Sequence, residues 1–288
     1  MIYKLKKGDE VEIVAPSSYI ENQFEYLQGI QIIRDWGLSV NQKNIQNRRF
    51  GYFAGDDNTR LSEVRNSQNS KLIIFAKGGW GSARLLERDI AWAETWMLGF
   101  SDTCSLLLSK YSKGSKGSIH GPMISTLVHE PKWSIERLKT LLFKGYVDDI
   151  KGNPLKNGLG VGEVIVSNLT IFSFLIGTNH LPNLKGKILI FEDINESIYK
   201  IDRIFTFLKL TKELNSIAGI GFGNFFDEND KEDKNNALRN LILERFNNYN
   251  IPIVSDLPIG HISGNACIPL GFRSVLDGNN GTLSINLN

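Results

Sequence analysis

Along the first hundred residues, short apolar runs of β type alternate with longer stretches whose apolar positions recur at helical spacing. Val11-Glu12-Ile13-Val14-Ala15-Pro16 comes first, followed by an amphipathic stretch from about Glu21 to Trp36 that Gly37 closes. Lys71-Leu72-Ile73-Ile74-Phe75-Ala76 runs into Lys77-Gly78-Gly79-Trp80-Gly81-Ser82, and Ala83 to Arg88 then reads as helical. Trp96-Met97-Leu98-Gly99-Phe100 leads directly to Ser101, and helical spacing resumes from Thr103 to Lys110. Strand, polar turn and helix in repetition predict an α/β unit with a parallel sheet and helices on its faces. Ligands of such sheets gather beyond the carboxyl ends of the strands.

Periodicity is lost from Gly145 to Gly162, a stretch dense in turn residues. It divides the chain into an N-terminal domain (1–146), a linker (147–161) and a C-terminal domain (162–288). The second part has its own strands at Gly186–Phe191 and Ile251–Ser255 and a strong helix from Ile198 to Leu210, so a second α/β domain is expected. Asp227 to Asn236, rich in charge and Asn, reads as a solvated loop. A cleft between the two domains is the natural place for a small-molecule site.

Composition narrows the partners. The 288 residues carry 33 Lys and Arg against 31 Asp and Glu, a net charge of +2, so no concentrated basic face for nucleic acid is expected. The N-terminus has no apolar leader core and no run approaches the length of a membrane span, which places the protein in the cytoplasm with no membrane partner. Cys104 and Cys267 lie far apart and read as small buried hydrophobes. The histidines are scattered without H-E-x-x-H spacing, so no metal is expected.

Ser101 follows an apolar run and a glycine and precedes a helix start at Asp102, which sets its hydroxyl at a strand end near free N–H groups. The same position suits a helix cap, and the α/β-hydrolase elbow G-x-S-x-G fails at Thr103. A nucleophilic serine needs a base and usually a carboxylate to orient it. Of four histidines, His261 lies in a constrained Gly- and Pro-rich loop after a strand and is the leading candidate; His120, before Gly121-Pro122, comes next, and His129 and His180 read as surface or loop residues. Glu192 follows an apolar run directly and is expected to be anchored and partly buried, whereas Asp193, Asn195 and Glu196 suit the cap of the helix near Ile198. Lys77 to Gly81 is either a tight turn or, with the Asp102 N–H, an oxyanion hole. Ser197-Ile198-Tyr199-Lys200 matches S-x-x-K, but neither S-D-N nor K-T-G accompanies it.

Taken in order, several segments resemble the serine LD-carboxypeptidases, the muramoyltetrapeptide carboxypeptidases, whose relatives include the microcin C immunity peptidases. They are Gly8-Asp9 with Ile13 to Ser18, Phe53 to Asp57 with Arg60-Leu61, Gly78 to Ser82 with Arg84 to Leu86, and Gly99-Phe100-Ser101-Asp102. His120-Gly121-Pro122-Met123, Ser167-Asn168-Leu169-Thr170, Phe191-Glu192-Asp193 with Tyr199 to Arg203, and Pro258-Ile259-Gly260-His261 follow. The resemblance implies a flavodoxin- or Rossmann-like N-terminal domain carrying the nucleophile, a smaller C-terminal α/β domain, and an active site at their interface. It implies Ser101 as nucleophile, His261 as general base, Glu192 as orienting carboxylate, and the Gly78 and Asp102 N–H groups as oxyanion hole. It further implies cytoplasmic cell-wall recycling by a homodimer without cofactor, which removes the terminal D-alanine of murein tetrapeptides. Cleavage of an aminoacyl-nucleotide or other amide by the same residues, and non-catalytic muropeptide binding, are the alternatives. Lys77 and Trp80 depart from the family's usual arginine and tyrosine, which bears on substrate contacts more than on the triad.

Overall fold

The structure is a computed structural model and describes residues 3–41, 44–226 and 232–287. In the first half lie β1 (Glu10–Val14), α1 (Gln23–Asp35), β2 (Ser39–Asn41), α2 (Asp57–Asn66), β3 (Leu72–Phe75), β4 (Trp96–Gly99), α3 (Cys104–Ser112), β5 (Ser118–His120) and α4 (Lys132–Lys144). The strands pair in parallel in the order β2-β1-β3-β4-β5, the flavodoxin-like order. Its direction reverses between β1 and β3, which opens a crevice beyond their carboxyl ends, where the Ser17-Ser18 and Gly78-Gly79 turns lie.

Alternation along the strands sorts the core into two layers. Val11, Ile13, Leu72, Ile74 and Leu98 pack with Tyr26, Ile30 and Ile33 of α1 and Leu138 and Leu141 of α4. Ile73, Phe75 and Met97 belong to a second cluster with Leu61 and Val64 of α2 and Leu106, Leu107 and Leu108 of α3. The Asn22 side chain accepts from the N–H groups of Phe24 (3.1 Å) and Glu25 (3.3 Å), so α1 begins at Gln23 rather than Glu21. Ala83–Glu87 is a short 3-10 helix, in line with the helical reading there.

The second half contributes β6 (Ile150–Lys151), β7 (Asn153–Lys156), β8 (Leu159–Asn168), α5 (Leu169–Leu175), β9 (Ile188–Ile194), α6 (Ile198–Leu210), β10 (Gly219–Phe226), α7 (Glu232–Phe246), β11 (Ile253–Ser255), β12 (Ile268–Pro269), β13 (Arg273–Asp277) and β14 (Thr282–Ile285). Its sheet runs β6-β14-β13-β8-β9-β10-β11-β7, with β8 to β11 parallel and the outer strands antiparallel. Helix α6 has the bounds read from the sequence. The stretch expected as a linker instead supplies β6, β7 and the start of β8. These are short edge pieces, where Pro154 is tolerated and hydrophobic alternation is not required. Of the expected loop at 227–236, residues 227–231 lie outside the described residues and α7 begins at Glu232.

Two features join the halves. Strand β12, late in the chain, returns to the first sheet and pairs antiparallel with β5, Ile268 against His120 and Pro269 against Ile119. The cluster holding Phe75 and the α3 leucines continues into Val164, Val166, Phe172, Ile190 and Phe191 of the second half, so the two sheets share one core. Cys104 and Cys267 are both buried and unpaired by disulfide. No helix among the described residues is long and apolar enough to cross a membrane.

Candidate active site

Ser101 opens a 3-10 turn, Ser101–Thr103, that runs into α3. Its φ is +59°, a left-handed conformation that costs an ordinary L-residue roughly 1–2 kcal/mol. Neighbouring side chains hold the turn against that cost. Thr103 Oγ donates to Phe100 O (2.7 Å), and the buried Asp102 carboxylate accepts from Ser17 Oγ (2.5 Å) and Ser82 N–H (2.9 Å). Ser82 Oγ donates in turn to Asp102 O (2.6 Å). Burial pushes the Asp102 carboxyl up, against the pull of these donors.

Gly78 lies against Ser101: a Cβ built there would sit 3.0 Å from Ser101 Cβ and 3.1 Å from its Oγ. Gly79 has φ +105°, and a Cβ on it would come within 2.1 Å of Ser18 Oγ. Only glycine fits either place without displacing the serine wall. The fully buried Arg60 guanidinium ties this loop to its neighbours by donating to Gly81 O (2.9 Å), Gly55 O (3.1 Å) and Pro16 O while pairing with Asp57. Among the hydrogen bonds of the described residues, the N–H groups of Gly78 and Asp102 have no acceptor.

Glu192, near the end of β9, has 0% exposure, and its Oε2 lies 2.8 Å from His261 Nδ1. Burial alone would raise its carboxyl, but the charge of His261, the nearby His120 imidazole and the hydrogen bond to His261 prevail and hold it down at about 2. Burial likewise works to lower the His261 imidazole, and the Glu192 charge overrides it, so its pKa is raised. The loop carrying His261 is fastened to the first half of the chain. Glu130 accepts from the N–H groups of Gly264 and Asn265 (3.0 Å each), Ser263 Oγ donates to His129 O (2.8 Å), and Ser134 Oγ donates to Asn265 O (3.1 Å).

Ser101 and His261 line one cavity of about 290 Å³ together with Lys77, Gly78, Phe100 and Met123. A second cavity of about 350 Å³ reaches Ser101 from the side of Trp80, Asn168, Phe174, Asp193 and Glu196. Among the described residues no hydrogen bond joins Ser101 Oγ to His261; such contacts are often long in the free enzyme and tighten around substrate.

The other expected groups are elsewhere. His120 is fully buried behind Glu192, its Nε2 3.8 Å from Glu192 Oε1, and lines neither cavity. His129 pairs with Glu25 (3.0 Å) at the surface, His180 Nδ1 meets Ser109 Oγ (2.9 Å), and Lys200 of S-x-x-K reaches Glu196 (3.0 Å). Asp193 does not cap α6. It accepts from Asn168 Nδ2 (2.9 Å), Thr170 N–H (3.0 Å) and Thr170 Oγ (2.8 Å), tying the first turn of α5 to the end of β9. Burial, then the charge of Glu192, pushes the Asp193 carboxyl to about 6. Arg60, Asn168 and Thr170 stand in the motifs of the family resemblance, whereas Glu130 carries no local signal in sequence. Among the described residues no group of three or more His, Cys, Asp and Glu side chains is set to hold a metal ion.

The structure sets a serine in the left-handed region at a strand end beside an imidazole–carboxylate pair contributed by the second half of an α/β fold. The family models for the LD-carboxypeptidase N-terminal and C-terminal domains match residues 11–121 and 161–276. A relative from Synechocystis sp. is 36% identical over 97% of this chain and 95% of its own length. The chain belongs to the LD-carboxypeptidase family of serine-type peptidases. The murein tetrapeptide carboxypeptidase of Pseudomonas aeruginosa is 27% identical, covering 93% of each chain. Among solved structures, the microcin C7 self-immunity protein in an inactive-mutant apo state superposes with a TM-score of 0.87 at 19% identity, covering 99% of this chain and 98% of its own. Muramoyltetrapeptide carboxypeptidase from Oxalobacter formigenes does so with a TM-score of 0.83 at 22% identity, covering 95% and 97%. At these identities the two structures establish a shared fold.

Proposed function

We propose that the protein hydrolyses the amide between the L-centre of the dibasic residue and the terminal D-alanine of murein tetrapeptides, with Ser101 as nucleophile, His261 as base and Glu192 as the carboxylate that orients it. The observation that carries this reading is the 2.8 Å Glu192–His261 pair opening on the same cavity as the strained Ser101. Glu192 holds Nδ1, which leaves Nε2 as the ring nitrogen able to take the Ser101 proton. Serine attack on the scissile carbonyl builds negative charge on its oxygen, and the uncommitted N–H groups of Gly78 and Asp102 are suited to receive it, the latter at the start of the turn leading into α3. His261 then returns the proton to the departing D-alanine amine, and a water activated by the same imidazole hydrolyses the ester. Cavities on both sides of Ser101 suit a peptide held on either side of the scissile bond.

The name of the Pseudomonas aeruginosa relative supports the substrate class. Cytoplasmic recycling of cell-wall peptides and a homodimeric state belong to the same proposal and rest on the family resemblance. The deciding experiment incubates the purified chain with a murein tetrapeptide and quantifies D-alanine. Release is expected with wild type and not with Ser101→Ala. Turnover of an aminoacyl sulfamoyl nucleotide with no D-alanine release would replace this substrate with an immunity-type one, and equal release by Ser101→Ala would remove the serine from the mechanism.

A further inference from the structure

His120 is the one histidine that neither cavity nor surface explains. It ends β5, with its backbone paired to Gly99 on one side and Ile268 on the other, so strands from both ends of the chain fix its place. Its side chain and that of Glu192 are both 0% exposed. Glu192 uses Oε2 for His261, whereas Glu192 Oε1 has no hydrogen-bond partner, and neither has either ring nitrogen of His120. The orphan acceptor and an orphan ring nitrogen face each other at 3.8 Å, slightly beyond hydrogen-bond length. Leaving both unpaired in the interior would incur two desolvation penalties that a small closure removes. The Phe100 ring packs against both imidazoles, its centroid 5.9 Å from that of His120 and 4.9 Å from that of His261.

We infer that His120 is a positioning residue: its Nε2–H holds Glu192 Oε1, so that the carboxylate is gripped between two imidazoles and presents Oε2 to His261 in a single orientation. The inference rests on the reading of Glu192 as the orienting carboxylate of His261. To donate to Glu192 Oε1, the His120 ring must carry a hydrogen on Nε2. His120 faces Glu192 from β5, His261 from the loop after β11, Asp193 from β9 itself and Cys104 from α3; burial, then the Glu192 charge, raises the Cys104 thiol and keeps it neutral. Among these groups His120 and His261 supply the nitrogen donors, and the protonated Cys104 thiol keeps only a weak S–H. Without His120 the carboxylate loses a donor and takes up a proton more readily, and whatever negative charge remains falls on His261 alone. The second effect raises the His261 pKa further and carries the acid limb of activity to higher pH; the first acts near the low pKa of Glu192, below that limb.

The test compares full-length wild type with His120→Gln, which places an amide N–H near the position of Nε2, and His120→Phe, a ring with no donor. The rate at which a fluorophosphonate labels Ser101 is measured against pH, alongside kcat and KM for D-alanine release. Labelling and kcat are expected to fall about tenfold to a hundredfold in His120→Phe, the loss of one hydrogen bond to a charged group, with KM changed less than about threefold. The acid limb should move upward, and His120→Gln should recover most of the rate. In wild type, 15N spectra of the imidazoles should show His120 protonated at Nε2. Identical pH profiles for wild type and His120→Phe, or a His120 proton on Nδ1, would overturn the inference. If His120→Phe does not fold, the spectrum and His120→Gln decide. Wild type that labels no faster than Ser101→Ala would instead refute the serine mechanism, and the spectrum alone would then judge the contact.

Discussion

Glu192 is a carboxylate without exposure that stays charged, and the residues around it set the pH behaviour of the site. A base must be neutral to accept a proton, and the Glu192 charge raises the His261 pKa. The acid limb of kcat/KM should therefore titrate above the ordinary imidazole value of about 6.5; a profile rising well below it would contradict the pairing. The pair also ties stability to pH. The folded Glu192 carboxyl is depressed to about 2, so its contribution is complete above its unfolded value and is lost as pH falls toward the folded one. The raised His261 contributes fully below its unfolded value and less as pH climbs through the folded one. Glu192→Gln removes both effects, and its melting temperature should vary less with pH on either side. Its kcat should drop roughly 10²- to 10⁴-fold, since an amide stabilises neither the imidazolium nor the needed tautomer. Sequence placed Ser101, Glu192 and His261 at strand ends and in a constrained loop. It ranked His261 ahead of His120, but which ring shares a cavity with the serine depends on how the two sheets pack.

Elements position these residues through turns more than through helices. Gly78→Ala would push a methyl against Ser101 Oγ while leaving both flanking elements intact. The expected outcome is a circular dichroism spectrum like wild type with strongly reduced serine labelling; unchanged labelling would show that Gly78 does not wall the hydroxyl. The loop of His261 depends on Glu130, whose removal orphans the Gly264 and Asn265 N–H groups. Glu130→Ala should lower stability by about 2 kcal/mol in urea unfolding and slow the enzyme through a looser His261; wild-type values for both would exclude the clamp. Strongly periodic elements were legible: α6 has the expected bounds, and α1 differs only at its caps, Asn22 and Trp36. Edge pieces were not, since β6 and β7 bury too little for a pattern and derive their order from neighbours in the sheet. Asp193 was misplaced for a similar reason, because local spacing suits a cap for α6 while the fold brings Thr170 and Asn168 closer.

At the scale of the molecule, β12 and the shared core make the halves dependent on each other. Thermal unfolding followed by far-ultraviolet dichroism and by tryptophan fluorescence should give one coincident transition; two separated transitions would show independent domains. Residues 1–146 alone lack the strand that covers β5 and should bind hydrophobic dyes in place of forming a native core. By itself the sequence determined the α/β class, the strand ends and loop where the candidate residues stand and the membership of a family, because hydrophobic period and short ordered motifs are local properties of the chain. The tertiary structure alone decided that the halves share a core, that Glu130 anchors the His261 loop, and that Glu192 lies between two imidazoles. Those contacts join residues far apart in sequence, and only the packing of one sheet against the other brings them within reach.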